Sequence, residues 1–103
     1  MILDANCLDI VGERNDGMLE LIIVSSGAFD DSPEQQTLLM DKIENYIGYA
    51  LSNEIKTDFP DYSQDRIVIV LKLEQKPSSL LLALCEKITE WVESYELKFE
   101  LKY

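Results

Sequence analysis

The sequence predicts an α+β fold: a two-layer α/β sandwich of element order β-β-α-β-α-β. Its four-stranded mixed sheet, in the order 1-2-3-4, carries two helices on one face. Three observations predict this. Asp16-Gly17 stands between two short runs of strand-forming residues, a hairpin signal. Two segments of helical period, opening at Ser32-Pro33 and at Ser78-Ser79, alternate with further strand-like runs. Finally, Met18–Val24 and Arg66–Glu74 are apolar at odd and even positions alike, as central strands are, whereas Tyr95–Tyr103 alternates strictly, as an edge strand does.

The first strand is expected over Leu8–Glu13, with Leu8 and Ile10 on one face and Asp9, Val11 and Glu13 on the other. A two-residue turn at Asp16-Gly17, where both residues tolerate positive φ, returns the chain along Met18–Val24. That turn pairs Val11 with Ile22 and Ile10 with Ile23; it also sets Glu13 against Glu20, which leaves a slipped register as the alternative. Ser32 caps the first helix, Pro33 suits its first position and Gln35 completes a capping box. The helix runs to about Ser52, with Leu39, Ile43, Tyr46, Ile47 and Ala50 on its buried stripe; Gly48 is either a small penalty or a point of close packing.

Asn53–Asp65 shows no period and reads as a long loop, a kind of segment that often carries function. Arg66–Glu74 is the third strand. One of Ser78 and Ser79 caps a second helix reaching about Ser94, with Leu81, Leu84, Cys85, Ile88 and Val92 inward and Trp91 at the margin. The last strand turns Leu97, Phe99 and Leu101 inward and Glu96, Lys98, Glu100 and Lys102 outward. Right-handed crossovers with both helices on one face advance the strands in one direction.

A length of 103 residues, 47% of them hydrophobic, points to a single domain over residues 1–103. The 20 acidic residues outnumber the 9 basic ones, histidine is absent and the formal charge is −11. The lack of histidine removes His-dependent triads, imidazole bases and His-ligated metals. The charge repels nucleic-acid phosphates and anionic membranes, so neither is an expected partner. The acidity itself has two readings, solubility or the steering of a basic partner.

Cys7 and Cys85 form no CxxC motif. The first residues have no basic stretch followed by an apolar run, and the longest apolar stretch, Leu80–Cys85, is too short to span a bilayer. A cytoplasmic protein is expected. No catalytic residue, cofactor or metal site is indicated: Asp58, Asp61 and Asp65 lack calcium-loop spacing, and the glycines form no phosphate loop. The protein is not expected to be an enzyme.

If the helices cover Leu19, Leu21, Ile23, Ile67, Ile69, Leu71 and Leu73, the other face of the sheet shows Val11, Ile22, Val24, Val68 and Val70, rimmed by Glu13, Glu20 and Lys72. An apolar centre with a charged rim suggests an interface, with a second copy or another protein; the alternatives are an N-terminal segment folded across it, or β-branched residues present only for strand propensity. A basic partner would be steered by Asp30, Asp31, Glu34, Asp58, Asp61 and Asp65, much as small acidic immunity proteins neutralise basic toxins. A third reading is a small-ligand pocket between Phe59–Tyr62 and the first helix.

Leu39–Ile47 (LMDKIENYI), Phe59-Pro60-Asp61-Tyr62 ahead of Ile67–Val70, Lys76-Pro77-Ser78 and the opening Leu8-Asp9-Ile10-Val11 together resemble a family of small acidic bacterial proteins of unknown function. Ser26-Gly27-Ala28-Phe29 stands where that family often has an acidic or His-containing stretch. The resemblance implies a bacterial, cytoplasmic, compact α/β domain and brings no activity with it.

Overall fold

The computed structural model describes residues 10–25 and 31–103. Four strands, β1 (Ile10–Glu13), β2 (Leu19–Ser25), β3 (Ile67–Leu73) and β4 (Lys98–Lys102), form one sheet in the order β1-β2-β3-β4. β1 runs antiparallel to β2, and β2, β3 and β4 are mutually parallel. The helices among the described residues are α1 (Pro33–Ala50), α2 (Asn53–Asp58) and α3 (Ser79–Glu93), with a 3-10 turn at Gln64–Arg66. This is the expected mixed α+β architecture with the expected strand order and one helix more than the sequence announced.

Local chemistry explains where the long helices start. Ser32 is extended and its Oγ accepts the Gln35 N–H at 3.1 Å, while Pro33 fills the first turn, where its missing N–H costs nothing. Gln36 closes the turn from the other side, donating from Nε2 to the Asp31 carbonyl at 3.1 Å. Of the two serines before α3 it is Ser78 that caps, accepting the Leu81 N–H at 3.1 Å.

Leu19, Leu21 and Ile23 of β2 and Ile67, Ile69 and Leu71 of β3 meet Leu39, Ile43 and Tyr46 of α1 and Leu81, Ile88 and Val92 of α3 in one buried cluster. Truncating one such aliphatic side chain to alanine costs about 2–5 kcal/mol. Tyr46 keeps its polar end satisfied by donating to the Ile22 carbonyl at 3.2 Å. Lys42 is also fully buried on this side of α1, its Nζ 6.0 Å from the Tyr46 ring centroid.

Two expectations need correction. The hairpin register is one residue off: Ile10 pairs with Ile22, Val11 with Leu21, Gly12 with Glu20 and Glu13 with Leu19. The cause is a three-residue loop, Asn15-Asp16-Gly17. Arg14 N–H donates to the Met18 carbonyl at 2.9 Å, and Gly17 N–H donates to the Arg14 carbonyl at 3.2 Å. Gly17 takes φ +86°, and Asp16 Oδ1 accepts the Met18 N–H at 3.1 Å. A one-residue slip exchanges faces. Val11 therefore packs against the core beneath the helices, not on the open face. The slip also separates Glu13 from Glu20.

The second correction concerns the expected loop over Asn53–Asp65. It holds α2 and the 3-10 turn, with Phe59 and Tyr62 packed on the core. Only Ile55 of α2 is buried, so the helix leaves no apolar period to read. Gly48 is settled too: a Cβ there would meet nothing within 4 Å, so it is not a point of close packing. Cys7, Leu8, Asp9, the Ser26–Phe29 stretch and Asp30 lie outside the described residues.

Candidate functional site

The pairings place Glu20, Val68 and Lys98 in one cross-strand row on the face away from the helices. Ile22, Val70 and Glu100 form the next row, and Val24, Lys72 and Lys102 the third. Charged side chains span the first two rows at their centre, over Val68 and Val70. Arg14 Nη1 reaches Glu100 Oε2 at 3.0 Å and Glu20 Oε2 at 3.5 Å, and Lys102 Nζ reaches Glu20 Oε2 at 3.2 Å. Glu20 and Glu100 flank β3 on opposite sides, so the network crosses β3 between Val68 and Val70. Those valines are 0% and 1% exposed. They are not available to a partner in this arrangement, which corrects the expectation of an open apolar centre at Val68 and Val70.

The network has an electrostatic signature. The hydrogen bond to Glu100 raises the Arg14 guanidinium above its ordinary value, against some desolvation. Desolvation also pushes the Asp16 carboxyl up, but the Met18 N–H and the Arg14 guanidinium, 2.7 Å away, hold it below the usual range. Each pair alone contributes little at such exposure, because solvent screens it. Their joint geometry matters more than their energy, since together they span β3 from Glu20 on β2 to Glu100 on β4.

The apolar surface that stays open lies at the other end of this face, where β2 and β3 finish. Ile22, Val24 and Leu73 floor a groove of about 300 Å³, Ile10 walls it from β1, and Lys72 and Glu74 rim it. Ile10 is 50% exposed, an unusual position for an isoleucine in a strand. The end of the groove is held by Glu74 N–H donating to the Ser25 carbonyl at 3.3 Å. Ile22 and Val24 stand on this face as expected; Ile10 joins them only because the register differs from the expected one.

The acids expected to steer a partner do not form one patch. Asp31 and Glu34 flank the N-terminus of α1, at the carboxyl end of β2 and β3. There Ser78 Oγ donates to Asp31 Oδ1 at 2.7 Å, tying the starts of α1 and α3 together. Asp58, Asp61 and Asp65 sit toward the hairpin end. Tyr49 Oη donates to Asp58 at 2.8 Å and Tyr62 Oη to Glu13 at 3.0 Å. Burial first, and then Asp58, push the Tyr49 phenol up to about 12. Burial and the Glu13 hydrogen bond raise Tyr62 in the same direction. The Ser63 hydroxyl donates to Asp65 and lowers its carboxyl.

Phe59 and Tyr62, at the ends of the segment expected to border a small-ligand pocket, pack on the core, and the bonds of Tyr49 to Asp58 and of Tyr62 to Glu13 tie α2 and the following turn to α1 and β1. Burial pushes the Cys85 thiol up to about 11, away from reactivity. Among the described residues no three His, Cys, Asp or Glu side chains could share a metal ion, and no helix is long and apolar enough to cross a membrane.

No curated protein and no solved structure matches the chain significantly. One family model does, over residues 1–103. The chain belongs to DUF6572, a family of unknown function.

Proposed function

We propose that this protein is a non-catalytic interaction module that docks a basic protein in the groove beside Ile10, acting as an inhibitor or regulator of that partner in a bacterial cytoplasm. The observation that carries the reading is the half-exposed Ile10 standing beside Ile22 and Val24 in an apolar groove, on a chain of net charge −11. A groove of this size accepts one or two apolar side chains of a partner. Glu74 shares the rim with Lys72, so the preference for basic residues around that anchor comes from Asp31 and Glu34 at the same end of the molecule and from the net charge of −11. Asp58, Asp61 and Asp65 act at longer range, through the overall field.

The test compares capture from the native lysate by the wild-type chain and by Ile10→Glu, at low and high salt. A stoichiometric basic protein held by the wild type, lost at high salt and lost with Ile10→Glu, is the expected result. Capture that survives both changes would refute docking at this groove. Ile10 is exposed at a sheet edge, so the variant leaves the core intact.

A further inference from the structure

Among the described residues β4 pairs only with β3, which leaves its outer edge free. A free edge is a template for another strand, and alternating lysines are a usual way of refusing one. On β4 the alternation reads Lys98, Glu100, Lys102 on one side and Phe99, Leu101 on the other. If two copies paired antiparallel about Glu100, Lys98 would face Lys102 twice and Glu100 would face Glu100. Every charged contact would repel. A shift of two residues reverses this. Pairing about Leu101 sets Glu100 against Lys102 of the other copy, twice, and Leu101 against Leu101. It also sets Phe99 against Tyr103.

The side of β4 facing α3 is prepared for that register. Leu82, Cys85, Thr89, Phe99 and Leu101 line a groove of about 300 Å³ between α3 and β4. Leu82 is 41% exposed, and Tyr103 is 68% exposed, the most open large apolar side chain among the described residues. Tyr103 continues the alternation of Phe99 and Leu101, so placing it opposite Phe99 of the second copy directs its ring to the mouth of that copy's groove.

Glu100 and Lys102 remain partly exposed within the Arg14 network. A carboxylate also accepts more than one donor, so contacts across the dyad add to those within the chain.

We propose that the chain forms a twofold dimer through antiparallel pairing of β4 with β4 of a second copy about Leu101, each Tyr103 entering the α3–β4 groove of the other copy. The two sheets then continue as one eight-stranded sheet, and the interface is isologous. The open-face groove beside Ile10 lies at the far edge of the sheet and stays free on both copies. This proposal therefore stands or falls apart from the proposed function.

Light scattering after size exclusion tests it. The wild type is expected at twice 11.8 kDa, and a monomer mass at high protein concentration would overturn the proposal. Glu100→Lys and Lys102→Glu each turn two attractive cross-strand pairs into two repulsive ones, which raises the dimer dissociation constant roughly thirtyfold. An equimolar mixture of the two variants restores both pairs and should run as a heterodimer. Variants whose dimer dissociation constant equals that of the wild type, or a mixture of folded variants that associates no more tightly than each alone, would refute the register. Tyr103→Ala lies outside every strand and does not threaten the fold; it should weaken the dimer about tenfold. An unchanged mass distribution for that variant would remove the groove from the interface.

Discussion

Val68→Glu decides whether the centre of the open face is a surface or an interior. If it were a surface, glutamate there would cost little. The structure places Val68 at 0% exposure, between Glu20 on β2 and Lys98 on β4, under the Arg14 bridge. Loss of the buried valine side chain costs about 1.5–2 kcal/mol. A carboxylate held in its place has its pKa raised by about 3 units, or about 4 kcal/mol at neutral pH. Lys98, exposed beside it, returns at most about 1 kcal/mol. The net loss is about 5 kcal/mol, comparable to the whole stability of a small domain.

The pH dependence has a definite sign. The carboxyl introduced by Val68→Glu has a folded pKa above its unfolded one. The penalty is therefore absent below the unfolded pKa, near 4.3, and grows as pH rises through the raised folded value. Urea unfolding followed by circular dichroism, at neutral and mildly acidic pH, measures this. The expected outcome is a chain largely unfolded at pH 7 and partly rescued in acid relative to wild type. A Val68→Glu variant within about 1 kcal/mol of wild type at pH 7 would refute the reasoning, because the network would then open readily. It would also return Val68 and Val70 to the surface a partner can reach.

Ser78→Ala removes both the α3 cap and the donor to Asp31, and should cost about 1–2 kcal/mol in urea unfolding. Two glycines should respond with opposite sign in thermal unfolding. Gly48→Ala adds a methyl into open space on an exposed turn of α1 and gains about 0.5–1 kcal/mol. Gly17→Ala strains a φ of +86° and brings Cβ within 2.7 Å of Arg66 Nη1, losing about 1–2 kcal/mol. In a Cys7→Ser background, Cys85 should resist thiol reagents at pH 8 until the chain unfolds, since its folded pKa of about 11 lies above the ordinary value of 9.0. Burial of that thiol stabilises below pH 9 and is lost as pH rises toward 11. Prompt labelling of the folded protein would contradict it.

The parts of the fold that could be read from sequence are those where residues interact with near neighbours. Ser32-Pro33 and the Ser78-Ser79 pair carry their helix starts in their own chemistry, and the two-sided apolar pattern of β2 and β3 follows from burial on both faces. The register of the hairpin is different. Asp16-Gly17 fits a two-residue turn, and it fits equally well as the last two positions of the three-residue loop that Asn15 opens. Opposed Glu13 and Glu20 are the available sign that the shorter turn is wrong. The closed centre of the open face is illegible for another reason. Arg14 and Glu100 are 86 residues apart, and nothing in either neighbourhood announces their meeting. Lys42 escapes the reading likewise, since a lysine on a helix stripe ordinarily reads as solvated.

That one-residue slip governs both halves of the candidate site. In the shorter turn, even-numbered residues of β1 would pair with Leu19, Leu21 and Ile23 and so lie on the helix side. Arg14 would be carried away from Glu20 and Glu100, leaving Val68 and Val70 open. Ile10 would join the core while Val11 stood outside. In the observed register Arg14 falls on the open face, where its bridge closes the sheet over the two valines. The same parity brings Ile10 out beside Ile22, where it walls the groove. Closing the middle of the face and presenting an anchor at its end are thus one structural event, set by a three-residue loop with glycine at its third position. A partner that uses this face therefore meets a small apolar groove next to a charged surface, rather than a broad apolar plane. Such a site suits a single inserted side chain with basic neighbours better than the wide flat contact of a second copy.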